Sequence, residues 1–180
     1  MTGFFRVSWK YSRDINKRML IKPSLSSRGS KHYHQGRFIP RNPQKYIGNV
    51  NNIIYRSKWE LIFLKWCDTN DSILKYSSEE CVIPYISPID GKQHRYFMDF
   101  FISTLQSDGS IKNFLVEIKP YAQTKPPKAT KKNNKESDIY KQAVNTYLIN
   151  QAKWMTAEKV CQKRGWGFKV ITEKELFRGK

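Results

Sequence analysis

The stretch HRYFMDFFISTLQSDGSIKNFLVEIKP, His94 to Pro120, decides the fold. Two β-rich runs, "HRYFMDFFIS" and "IKNFLVEIK", flank "QSDGS", whose Asp108-Gly109 pair supplies the corner of a hairpin. With the corner at Asp108, Asp99 and Glu117 are equally far from it. They therefore face each other across the two strands, on one side of the sheet. Strand side chains alternate, so Lys119 shares that side while Ile118 points the other way, into the core. An even slip of register keeps the three charges together; an odd slip separates them. Pro120 then prevents the strand from continuing.

Two carboxylates placed opposite each other repel. Both sit in strongly apolar runs, "YFMDFF" and "FLVEI", where an unpaired buried charge is costly. The pairing becomes favourable if a divalent cation lies between them. Mg²⁺, with Mn²⁺ as a plausible substitute, takes oxygen ligands and uses one or two carboxylates plus waters and a phosphate. Asp99 and Glu117 are the candidate metal ligands, and the backbone carbonyl of Ile118 is a further one. Lys119 is placed to orient or deprotonate an attacking water and to offset phosphate charge. This is equipment for hydrolysing a phosphodiester. The spacing alone is weakly specific, because Asp, Glu and Lys are common at strand ends, where they simply keep the strand solvated.

Working outward, "SKWELIFLKWCD" carries Trp59, Ile62, Phe63 and Trp66 on one helical face. Its acid, Glu60, has two readings. Ser57-Lys58-Trp59-Glu60 has the form of a capping box, in which Glu60 reaches back to the backbone at the helix start. Alternatively, Glu60 points at the Asp99/Glu117 pair as another metal or water ligand. "ILKYSSEECVIPYI" is β-like and "SPIDGKQ" a turn. A long helix is expected over roughly 137–163, started by Ser137-Asp138, with Ile139, Ala143, Tyr147 and Trp154 sharing a face. Gly165 ends it, "WGFKVIT" forms a last strand and "EKELF" a short helix. The order of elements implies an α/β sandwich, a sheet with antiparallel hairpins covered by helices.

The totals narrow the partners. Thirty-three Lys and Arg oppose fifteen Asp and Glu, for a formal net charge of +18 over 180 residues. Such a chain seeks a polyanion, either nucleic acid or an anionic surface. No apolar run approaches a membrane span, and no membrane or small-molecule cofactor is expected. Cys67, Cys81 and Cys161 are scattered, form no zinc pattern, and read as free thiols in a reducing compartment. His32, His34 and His94 show no ligand spacing; a structural or phosphate role suits His94. Residues 1–57 hold twelve Lys and Arg against one acid, Asp14. Residues 1–50 are read as a basic, aromatic-rich arm and 51–180 as the catalytic domain. Arg37 and Arg41 in the arm, with Lys125, Lys128, Lys131 and Lys132 in the loop after Pro120, are candidates for holding a DNA backbone.

The segments "YRSKWELIFLKWCD", "YFMDFFI", "FLVEIKP" and "NQAKWMTAEKVCQKRGWGFKVITEKEL", in that order, resemble the PD-(D/E)xK nuclease superfamily. They resemble more closely its TnsA-like branch, and within it the head completion nucleases of T-even-like tailed phages. The resemblance covers Lys45 to Phe177. It implies a restriction-endonuclease-like core with a central mixed sheet. It matches Glu60 to the helix acid, Asp99 to the motif aspartate, Glu117 to the second acid and Lys119 to the motif lysine. Met98 stands where the family often has proline. Lys153 falls where related nucleases place an auxiliary residue on the helix after the core; the reading taken is a lysine on a solvated helix face, available to DNA. The activity implied is a Mg²⁺-dependent deoxyribonuclease that trims packaged double-stranded DNA before head-tail joining. Its partners would be portal or neck proteins, and its place the host cytoplasm during assembly, with retention in the virion. A non-catalytic basic DNA-binding protein at the portal is the alternative.

Overall fold

A computed structural model describes residues 35–129 and 137–177. Residues 1–34, Lys131 and Lys132 lie outside the described residues. The order of elements is β1 (Gly36–Phe38), β2 (Ile53–Tyr55), α1 (Lys58–Thr69), β3 (Ile73–Ser78), β4 (Val82–Ile86), β5 (Gln93–Phe97), β6 (Phe100–Leu105), β7 (Ile111–Ile118), α2 (Asp138–Arg164), β8 (Gly167–Ile171) and α3 (Glu173–Leu176). The central sheet runs β3-β6-β7-β8. Its first three strands are antiparallel, and β8 adds parallel to β7. A parallel neighbour requires a crossover, which α2 supplies. The mixed sheet with flanking helices expected from the sequence is therefore present.

The hairpin at the centre has the expected register. Phe100 pairs with Val116, Phe101 with Leu115 and Leu105 with Ile111, all symmetric about the Asp108 corner. Asp108 Oδ1 accepts the Ser110 backbone N–H and hydroxyl, and Gly109 takes φ +79°, which glycine adopts without steric cost. "HRYFMDFFIS" is not one strand, however. Among the described residues β5 pairs only with β4, in a separate two-stranded sheet, and the chain bends at Met98-Asp99 before β6 begins. Met98 is fully buried at the bend, its N–H donated to the Cys81 carbonyl. The Asp99 side chain, rather than a strand backbone, satisfies the Ile118 N–H across the gap.

Two cores sit on the two faces of the sheet. Phe63, Leu64 and Cys67 of α1 pack on Phe100, Ile102, Val116 and Ile118. On the other face Ile83, Tyr85 and Tyr96 of the β4–β5 hairpin pack with Leu115, Ala157 and Cys161. Alternation along β7 thus puts Leu115 and Glu117 on the hairpin face. α2 is capped by Ser137 and ends at Gly165, φ +68°. Its expected apolar face is the packed one except at its start: Ala143, Tyr147 and Trp154 are partly buried in line with the buried Asn150, Ala157 and Cys161, whereas Ile139 is 69% exposed. Ala143 and Tyr147 instead share a pocket with Ala122, Gln123 and Pro127 of the segment after β7. All three cysteines are free thiols.

Residues before Asn51 contribute to the first core. Phe38 and Tyr46 are buried with Ile53. Asp68, at the end of α1, fixes this segment: its carboxylate accepts the backbone N–H groups of Arg41 and Asn42 and the Tyr76 hydroxyl. Packing therefore reaches back across the boundary expected at residue 50. No helix among the described residues is long and apolar enough to cross a membrane.

Candidate active site

Extending the observed register by one pair sets Asp99 opposite Glu117, at the mouth of the gap where β5 and β6 part. Glu117 is 2% exposed. Both of its oxygens are held: Oε1 lies 2.9 Å from Lys119 Nζ, and Oε2 accepts the Tyr96 hydroxyl at 2.7 Å. Asp99 Oδ2 accepts the Ile118 N–H at 2.7 Å. The strand end therefore aims Glu117 and Lys119 at one spot while Ile118 anchors the strand in the opposite core.

Burial and the neighbouring Glu117 charge push the Asp99 carboxyl up to about 7. Lys119 and the Ile118 N–H oppose that rise, and Glu60 adds to it. Burial acts to lower the pKa of Lys119, but Glu117 and Asp99 outweigh it and hold the ammonium above its ordinary value. Two acids with one lysine thus make a site at which the second negative charge is disfavoured. A divalent cation would relieve that imbalance. The donors on offer are carboxylate oxygens. Among the described residues no group of three or more His, Cys, Asp or Glu gathers. The protein would then supply two carboxylates and leave the other positions to a carbonyl, water and phosphate. That fits a Mg²⁺-type ion and does not fit a structural zinc.

Glu60 combines features of both sequence readings. It accepts the Arg56 N–H at 2.7 Å and the Ser57 hydroxyl at 2.8 Å, while the Ser57 Oγ accepts the Glu60 N–H. It thus closes the helix start, receiving the N–H one residue before the one a capping box uses. Its charge is nonetheless felt by both Asp99 and Lys119. Lys153 is not on a solvated face. It is partly buried, its Nζ 5.3 Å and 5.6 Å from the rings of Tyr96 and Tyr85, and it senses Glu117, Lys119 and Asp99. Burial lowers its pKa despite the two acids. Arg37, Arg41, Lys125 and Lys128 are exposed and lie outside this cluster. His94 bonds Asp90 at 2.9 Å at the hairpin tip, a local structural contact.

Tyr96 was hidden from sequence reasoning. On one continuous strand it would point away from Asp99, three residues on. The bend at Met98-Asp99 reverses that and turns the hydroxyl onto Glu117. The only signal in the sequence is a lone tyrosine in an apolar run, which a core position explains equally well.

Residues 70–173 match the family described as TnsA-like endonuclease N terminal. The segment includes Asp99, Glu117, Lys119 and Lys153, and begins just after the helix that carries Glu60. The chain is also 37% identical over 144 residues to the Head completion nuclease of Enterobacteria phage T4, across 79% of this chain and 93% of that protein. Divalent metal ions serve nucleases of this kind, and DNA is the substrate that the family implies. A mixed sheet ending in paired acids and a lysine, and a family match over more than half its length, agree on one assignment: the chain belongs to the TnsA-like endonucleases, on a restriction-endonuclease-like fold.

Proposed function

We propose that this protein is a Mg²⁺-dependent deoxyribonuclease that hydrolyses phosphodiester bonds of double-stranded DNA during phage head completion. The observation that carries the reading is the convergence of Asp99, Glu117 and Lys119 at the end of β7. Asp99 and Glu117 would hold the cation, with the Ile118 carbonyl as a third protein oxygen. A cation there supplies Lewis-acid polarisation of the phosphate and acidifies water. Lys119 orients the attacking water and takes up charge on the phosphorane-like transition state. Glu60, through its charge, supports Lys119 from the helix start. The 3′-oxygen departs as the water oxygen bonds to phosphorus. Mn²⁺ is expected to replace Mg²⁺.

The head completion role rests on the name of the T4 relative. In this reading the protein trims packaged DNA in the host cytoplasm so that filled heads accept tails, and it contacts portal or neck proteins and stays in the virion. Cleavage of plasmid DNA with Mg²⁺ or Mn²⁺ tests the chemistry. Glu117→Ala and Lys119→Ala should each lower the rate by at least about a hundredfold at a temperature where the variants are folded, with DNA affinity nearly unchanged. Wild-type protein that leaves DNA intact at every salt concentration would point instead to a non-catalytic DNA-binding role at the portal.

A further inference from the structure

Glu117 ends a strand of the central sheet, yet one of its oxygens is held from another sheet. Tyr96 lies in β5, which pairs with β4. It is 2% exposed, and its hydroxyl donates to Oε2. Oε1 faces Lys119, whose side chain is partly open to solvent. The two oxygens therefore differ: Oε2 is turned into the seam between hairpin and sheet, and Oε1 towards the side that DNA can reach.

Tyr96 is itself held in place. Its ring sits beneath Lys153 Nζ at 5.3 Å and in edge contact with Tyr85. Trp154, on the next position of α2, lies close enough for its indole to influence the Tyr96 hydroxyl. That indole Nε1–H is buried and makes no hydrogen bond of good geometry. Among the described residues the hydroxyl donates to Glu117, and the packed ring holds it there.

We propose that Tyr96 is a positioning residue for metal binding: its hydroxyl anchors Glu117 Oε2 in the seam and so presents Oε1 to the cation. The inference rests on the proposed role of Glu117 as a metal ligand. Hydrogen bonds to ligating carboxylates commonly set metal affinity, and their loss weakens it by about tenfold or more. A tyrosine that only satisfied a buried carboxylate would affect stability and leave metal affinity alone.

Tyr96→Phe keeps the ring and removes the hydroxyl. Mn²⁺ affinity is read by electron paramagnetic resonance of the free ion, without DNA, beside Glu117→Gln. The expected result is Mn²⁺ binding about tenfold weaker in Y96F and absent in E117Q. In cleavage assays Y96F should need more metal and recover the wild-type kcat when metal is saturating. Trp154→Phe, which leaves the Tyr96 hydroxyl in place, gives a second readout: a smaller loss in the same direction. If Y96F and W154F bind Mn²⁺ as the wild type does while E117Q does not, Tyr96 is purely structural and the inference fails alone. If E117Q also binds normally, the reading of Glu117 as a ligand fails and takes the inference with it.

Discussion

At Asp99 a carboxyl is set beside Glu117 with Lys119 and one backbone N–H to offset it. In the folded chain it holds its proton up to about pH 7, against an ordinary value of 3.8. Between those values the folded protein binds more protons than the unfolded one, so this group makes stability fall as pH rises, with the loss complete above about 7. Asp99 keeps part of its surface open, so screening limits the effect to on the order of 1–2 kcal/mol. Asp99→Asn should therefore stabilise the metal-free protein at pH 8 and have little effect near pH 4, as measured by urea unfolding. Mg²⁺ should restore stability to the wild type and do nothing for the variant; a wild type as stable as D99N at pH 8 would contradict this. The residues behind this tension were legible in the sequence, because a turn signal and strict alternation together fix a register. Tyr96 was not, since its direction depends on a bend that no local pattern announces.

The helix α1 shows how an element can serve two ends with one residue. Glu60 and Ser57 bond one another's groups at the helix start, and the Glu60 charge reaches Asp99 and Lys119. The sequence offered these as alternatives because a capping pattern is local, whereas the approach of one element to another is set by packing across the whole sheet. Substitution separates them. Ser57→Ala removes the oxygen that accepts the Glu60 N–H and should cost about 1 kcal/mol in stability, with little change in turnover at a temperature where the protein is folded. Glu60→Gln keeps an oxygen for the cap but loses the charge; its melting point should stay within a few degrees while cleavage drops by about tenfold or more. Equal losses of activity in both variants would make Glu60 a cap and nothing else. The broken strand shows the same division between local and distant causes. Its β-propensity was plain, but which neighbours it pairs with depends on Met98 entering the core and Asp99 taking over a ladder hydrogen bond.

Over the whole molecule, charge decides how the protein meets its substrate. The fold class was readable because helix and strand periodicities alternate clearly after Ser57. The packing of residues 35–55 was not, because its anchors are single residues whose partners lie far along the chain: Arg41 and Asn42 donate to Asp68, and Tyr46 meets Tyr76 edge-on. A net charge of +18 predicts binding dominated by phosphate neutralisation. Lys125 and Lys128 are exposed on the segment that leaves β7, and Tyr121 holds that segment, its N–H donated to Glu173 at 2.8 Å. Lys125 thus directly follows an anchored turn, with Lys128 three residues on. Removing one lysine that neutralises a phosphate lowers the slope of log affinity against log salt by about 0.9. Replacing both with alanine should reduce the slope by nearly twice that amount and weaken binding equally on unrelated duplexes. Fluorescence anisotropy in EDTA, over a series of KCl concentrations, measures this without cleavage. A slope equal to the wild type would remove both lysines from the DNA path. A loss confined to one duplex sequence would mean that they read bases rather than the backbone.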